Sequence, residues 1–198
     1  MNFINSIDNE EILKLPLCQY SGKIFIVDEL HNFDKIKKKL TEKTIWGFDT
    51  ESKPAFSAKD AKKQKPALLQ LTNNDATYLF RLNYIGIPQE IIDFLQNQEI
   101  IKVGLALHDD VKNLQKIKKF IPNGFIDLQK IAKNFGIDEL GLRKLAAITL
   151  DCRISKRQQT SNWEAHILTE QQKIYAATDS WITRQIYFKL QEYDSTRV

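Results

Sequence analysis

TIWGFDTES, residues 44–52, is the stretch whose reading decides the fold. Its aromatic and β-branched residues read as a strand at 44–51. Alternation along a strand puts Asp49 and Glu51 on one face, with Trp46, Phe48 and Thr50 on the other. Two carboxylates on one face of so apolar a strand repel each other and lose hydration unless positive charge lies between them, and a metal ion is the economical source of that charge. The bland alternative is a polar strand end at the edge of a sheet.

Working outward, a polar, lysine-rich loop runs from Ser52 to Pro66. The apolar runs ALLQL (67–71) and ATYLF (76–80) then flank the turn-forming Asn73, Asn74 and Asp75, which is a hairpin signal. Beyond it the pattern predicts a helix near 88–97, a strand at 100–104, and helices near 107–119, 127–135, 139–150 and 170–192. Upstream, 24–27 reads as a strand and 29–40 as a helix with Leu30, Phe33, Ile36 and Leu40 along one face, while residues 1–21 read as an arm. A sheet that opens with a hairpin and then alternates with helices is a mixed α/β sheet covered by helices.

Two further acidic positions stand out. In GLALHDDVKNL (104–114), helical spacing puts Asp109 on a face with Asn113 and Lys116, and Asp110 on the inward face with Leu114 and Ile117. In the last helix, Thr169 to Gln172 fit a capping box, and Tyr175, Asp179, Ile182, Ile186 and Leu190 form one stripe. An aspartate in a core-facing stripe is anomalous. Taken singly, Asp110 also reads as a first-turn acid favoured by the helix dipole, and Asp179 as a buried carboxylate bonded to a neighbour. Together the three places supply four inward-facing carboxylates and a tyrosine, with no matching Lys or Arg on those faces.

Composition bounds the class. The chain has 198 residues, 42% hydrophobic and 27% charged, enough for one well-buried core, and its net charge of +4 suits a polyanionic partner as well as it suits an ordinary solvated surface. Cys18 and Cys152 have no second Cys or His at zinc-finger spacing and read as reduced thiols. Asp8, Glu10 and Glu11 fall where a signal peptide needs an apolar stretch, and no run reaches transmembrane length, so a cytoplasmic protein is expected.

FDTE (Phe48 to Glu51), GLALHDDVKNL with Asp110, and YAATD (Tyr175 to Asp179), in this order and at these separations, resemble the DEDDy-type 3′–5′ exonucleases, the family of ribonuclease D and the Werner-helicase exonuclease domain. ALLQL, YLF (78–80) and SNW (161–163) support the likeness. Ile174 stands where the histidine subtype has its His, and Tyr175 where the tyrosine subtype has its Tyr. With Val198 as the last residue there is no room for the helical domains that follow the nuclease in ribonuclease D, so the expected relatives are stand-alone bacterial members.

That resemblance implies a ribonuclease H-like fold, with residues 22–193 as the exonuclease domain, 1–21 as an arm and 194–198 as a tail. It implies two divalent cations, Mg²⁺ or Mn²⁺: Asp49, Glu51 and Asp179 hold one, and Asp49, with Asp110 through water, the other. Tyr175 orients the attacking water. The substrate is DNA or RNA with a 3′ end, the products are nucleoside 5′-monophosphates, and no membrane or stable protein partner is implied. Phe56, Lys62, Lys63 and Lys65 after the first motif, and Lys156 and Arg157 before SNW, are the candidate substrate contacts. Rival readings are a non-catalytic nucleic-acid-binding module and an endonuclease or phosphatase on the same fold.

Overall fold

In the computed structural model, which describes residues 3–54 and 64–195, the opening stretch forms β2 (Ile45–Glu51) near the middle of a six-stranded sheet. The other strands are β1 (Lys23–Val27), β3 (Leu68–Thr72), β4 (Ala76–Arg81), β5 (Ile101–Gly104) and β6 (Phe125–Asp127), in the order β1-β4-β3-β2-β5-β6. Only β3 runs against its neighbours; the other pairings are parallel. The hairpin is β3–β4, with Asn73 closing the turn by accepting hydrogen bonds from the Asp75 and Ala76 amides.

Alternation in β2 sorts the interior into two layers. Trp46 and Phe48 face one side, where they pack with Phe33 of α2 (Leu30–Ile36), Phe94 of α5 (Gln89–Gln96) and Leu107 and Leu114 of α6 (Leu107–Ile117). On the other side lie α7 (Leu128–Asn134), α8 (Leu142–Leu150) and α9 (Glu170–Ser195), whose Ile182, Ile186 and Leu190 are fully buried. Gly47 faces α9, and a Cβ there would lie 1.8 Å from the Ser180 carbonyl oxygen. The glycine is what lets the helix sit against the strand.

Polar bonds fix the register of α9 on the sheet. Ser180 and Thr77 both share hydrogen bonds with the Thr72 hydroxyl, at 2.6 and 2.7 Å, while Thr183 donates to the Val103 carbonyl and Arg184 to that of Ile45. The capping box forms as expected: the Thr169 hydroxyl accepts from the Gln172 amide, and the Gln172 side chain accepts from the Thr169 amide.

Several elements differ from the sequence reading. The helix expected over 29–40 is two pieces, α2 and α3 (Lys39–Glu42), joined through Lys37 and Lys38, which keep right-handed helical backbone, and Leu30 is exposed. Short α4 (Leu82–Ile85) and β6 carry too few residues to show a period. In the arm, residues Asn9–Lys14 form α1 with Ile12 fully buried, Phe3 packs on Phe135 and Tyr193, and Leu17 bridges to Arg153. This brings the free thiols of Cys18 and Cys152 into hydrogen-bond contact, and burial pushes the Cys152 thiol up to about 12.

Candidate active site

Three carboxylates converge at the carboxyl end of β2. Asp49 and Glu51 come from the strand and Asp179 from α9, and one oxygen of each lies within 4.8 Å of the others. Asp49 and Glu51 are half-buried and Asp179 is buried. The close approach at Gly47 explains the convergence, because it seats α9 on the face from which Asp49 and Glu51 project. Antiparallel pairing places the buried Gln70 side chain beside Asp49 on that face.

Asp110 arrives from the opposite layer. Its helix α6 packs on the Trp46 and Phe48 side, and its carboxylate accepts a 2.5 Å hydrogen bond from Thr50, the residue of β2 that points to that side. It therefore stands outside the compact trio and across the strand end from it, yet close enough to raise the pKa of both Asp49 and Glu51. Asp109 is exposed, as helical spacing predicts.

A residue the sequence reading did not single out holds α6 in place. The Asp127 carboxylate accepts bonds from the Ala106 and Leu107 amides at the start of α6 and from the Gln129 amide at the start of α7. Ala106 takes a left-handed backbone (φ 54°) to make the turn. No local pattern reveals this: Asp127 reads as an N-cap for its own helix, and its second helix lies some twenty residues upstream.

Electrostatics at the cluster are those of like charges with little water. Burial, reinforced by Asp179 and Asp110, pushes Glu51 up to about 9. Burial pushes Asp179 up to about 7, opposed by a hydrogen bond donated by Tyr175, and Asp110 up to about 6, opposed by the bond from Thr50. Asp49 is raised well above its ordinary range by burial and by all three other acids. Burial and the adjacent carboxylates likewise hold the Tyr175 phenol well above its usual value, so it stays protonated.

Asp49, Glu51 and Asp179 line a cavity of about 560 Å³ that is also lined by Arg143, Lys144, Lys156 and Gln159. Among the candidate substrate contacts, Lys156 faces this cavity, whereas Arg157 lines a neighbouring one of about 320 Å³ on the far side of Tyr175, together with Arg153. Lys65 is exposed. Phe56, Lys62 and Lys63 lie outside the described residues. Trp163 of the SNW segment is fully buried with its ring 6.0 Å from that of Tyr175.

A mixed sheet covered by helices on both faces, with acids at the carboxyl end of a central strand, is the architecture of the ribonuclease H-like exonuclease domains. Residues 24–193 match the family model described as 3′–5′ exonuclease, and the chain belongs to that family. It is 29% identical over 186 residues to the mouse bifunctional 3′–5′ exonuclease/ATP-dependent helicase WRN, covering 89% of this chain and 13% of that protein. It is 32% identical over 170 residues to Drosophila melanogaster exonuclease 3′–5′ domain-containing protein 2 (84% and 27%), and 24% identical over 185 residues to Haemophilus influenzae ribonuclease D (93% and 45%). The chain thus spans less than half the length of each. Among solved structures, the Aedes aegypti Nibbler EXO domain superposes with a TM-score of 0.77 at 19% identity, covering 99% of this chain and 94% of that one. Escherichia coli RNase D gives 0.76 at 20%, covering 89% and 46%.

Proposed function

We propose that this chain is a metal-dependent 3′–5′ exonuclease that hydrolyses nucleic-acid phosphodiesters and releases nucleoside 5′-monophosphates. The observation that carries the reading is the meeting of Asp49, Glu51 and Asp179 oxygens within 4.8 Å, with pKa values raised rather than lowered. Carboxylates so placed have no cation to neutralise them among the described residues, and all-oxygen donors at this spacing suit hard divalent cations such as Mg²⁺ or Mn²⁺. Asp49, Glu51 and Asp179 would hold one cation; Asp49, with Asp110 through water, would hold a second. When bound, such cations supply charge stabilisation to the phosphoryl oxygens and acidity to a coordinated water.

The remaining work falls to the chain's own groups. Asp110, fixed by Thr50, contributes negative charge from the far side of the strand end. Tyr175 is one helical turn before Asp179 and donates to it, so the phenol positions Asp179 and offers its oxygen to orient the attacking water. Its assigned role is orientation of that water rather than general-base duty. Lys156 stands on the cavity wall where a phosphate backbone would pass.

The test is digestion of 5′-end-labelled DNA and RNA strands of matched sequence with Mg²⁺ or Mn²⁺. A ladder shortened from the 3′ end supports the reading; internal cuts indicate an endonuclease, and binding without products indicates a non-catalytic module. The Asp49→Ala, Glu51→Ala double variant should give no product, and undiminished activity in it would mean that the site is elsewhere.

A further inference from the structure

The cavity that the carboxylates line is richer in cations than the sequence reading anticipated. Arg143 and Lys144, in the first turn of α8, line the same cavity as Asp49, Glu51 and Asp179. Lys144 is held by a 2.7 Å ion pair with Glu139. Among the described residues no ion pair or hydrogen bond engages the Arg143 guanidinium. Nor, among the described residues, does an ion pair join these cations to the carboxylates that line the same cavity.

That cavity, of about 560 Å³, has the charge pattern of a site for a polyanion. The 3′-terminal nucleotide of a strand brings only one phosphate into such a site, the scissile one, and that phosphate belongs at the carboxylates. A cation in the same cavity that is not paired with the carboxylates is left to meet the phosphates on the 5′ side. A guanidinium with no internal partner presents the planar fork that suits a phosphate's paired oxygens, and a neighbouring ammonium adds a point charge.

We infer that Arg143 and Lys144 form a phosphate-binding wall that grips the strand just 5′ of the scissile bond. This rests on the exonuclease reading for the identity of the ligand. The wall contributes affinity for a chain of phosphates and nothing to a substrate that has only the scissile one, so the enzyme prefers oligonucleotides to simple phosphodiesters.

The experiment compares a short single-stranded oligonucleotide with the p-nitrophenyl ester of thymidine 5′-monophosphate, with Mn²⁺, for the wild type and for Arg143→Glu, Arg143→Lys and Lys144→Ala. Circular dichroism melts verify that the variants fold. For Arg143→Glu the preference for oligonucleotide over ester should fall about tenfold, through KM, with a shallower salt dependence, by about 0.7 in log–log slope per cation lost. Arg143→Lys should restore much of the loss. Equal losses on both substrates, or none on either, would overturn the proposal. Oligonucleotide anisotropy in EDTA gives a readout independent of turnover. A wild type that hydrolyses neither substrate but binds in an Arg143-dependent, salt-dependent way would refute the exonuclease reading and keep the wall. Binding indifferent to Arg143→Glu would refute the wall.

Discussion

At Asp179 two effects compete. Burial pushes the carboxyl up to about 7, and the hydrogen bond from Tyr175 pulls it back. Glu51, up to about 9, and Asp110, up to about 6, are shifted in the same direction. Each of these groups binds its proton more tightly folded than unfolded, so its contribution to stability is complete below about pH 4 and is lost as pH rises through the folded pKa. Metal-free protein melted in EDTA should therefore lose stability between about pH 5 and pH 9. Asp179→Asn should flatten that decline and raise the melting temperature at alkaline pH by roughly 5 °C, corresponding to on the order of 2 kcal/mol. A cation at the carboxylates reverses the sign, so Mn²⁺ should stabilise the wild type and do so far less in the variant. An unchanged slope in Asp179→Asn would mean that the cluster is solvated.

Among the elements, β2 and α9 determine the site jointly, and Gly47 is the point of contact. A methyl group there meets backbone rather than a movable side chain, so Gly47→Ala must push α9 away from the strand. The expected cost is about 3 kcal/mol, from overpacking against a rigid neighbour. Because Asp179 travels with the helix, activity should fall by roughly 10²-fold or more even at temperatures where the variant is fully folded. Thermal melts and single-turnover digestion measure the two effects separately, and an active, stable variant would show that α9 tolerates the shift. At this scale much was legible beforehand. The β3–β4 hairpin, the strand at β5 and the helices α5 to α9 follow from period and turn chemistry, and the capping box at Thr169 is where its residues predict. β6 and α4 were not, because three or four residues carry no measurable period.

For the whole molecule, the N-terminal residues matter more than an arm suggests. Ile12 is fully buried, Phe3 packs against Phe135 and Tyr193, and Arg153 donates to the Leu15 carbonyl while its backbone pairs with the chain at Pro16 and Cys18. The chain they brace, Arg153 to Lys156, lines both cavities, and Asn9 of α1 itself lines the one with the acids. Deleting residues 1–18 should lower stability by about 3 kcal/mol, from lost apolar burial, and the melting temperature by roughly 10 °C. It should also weaken oligonucleotide binding, because Lys156 loses its support. A truncated protein that melts and digests like the full chain would show these contacts to be incidental. No helix among the described residues is long and apolar enough to cross a membrane.

Periodicity and residue chemistry determined from the sequence alone that Asp49 and Glu51 share a face, that Asp110 rather than Asp109 turns inward, and that Tyr175 and Asp179 lie on one stripe. These are local facts, set by the repeat of a strand or a helix. Only the tertiary structure decided that Asp110 reaches the strand end from the opposite layer through Thr50, that Asp127 fixes the helix carrying it, that Lys156 and Arg157 line different cavities, and that Arg143 and Lys144 line the cavity of the acids. A repeat tells which way a side chain points within its own element. What it meets there depends on how distant segments pack, and no short stretch of sequence encodes that.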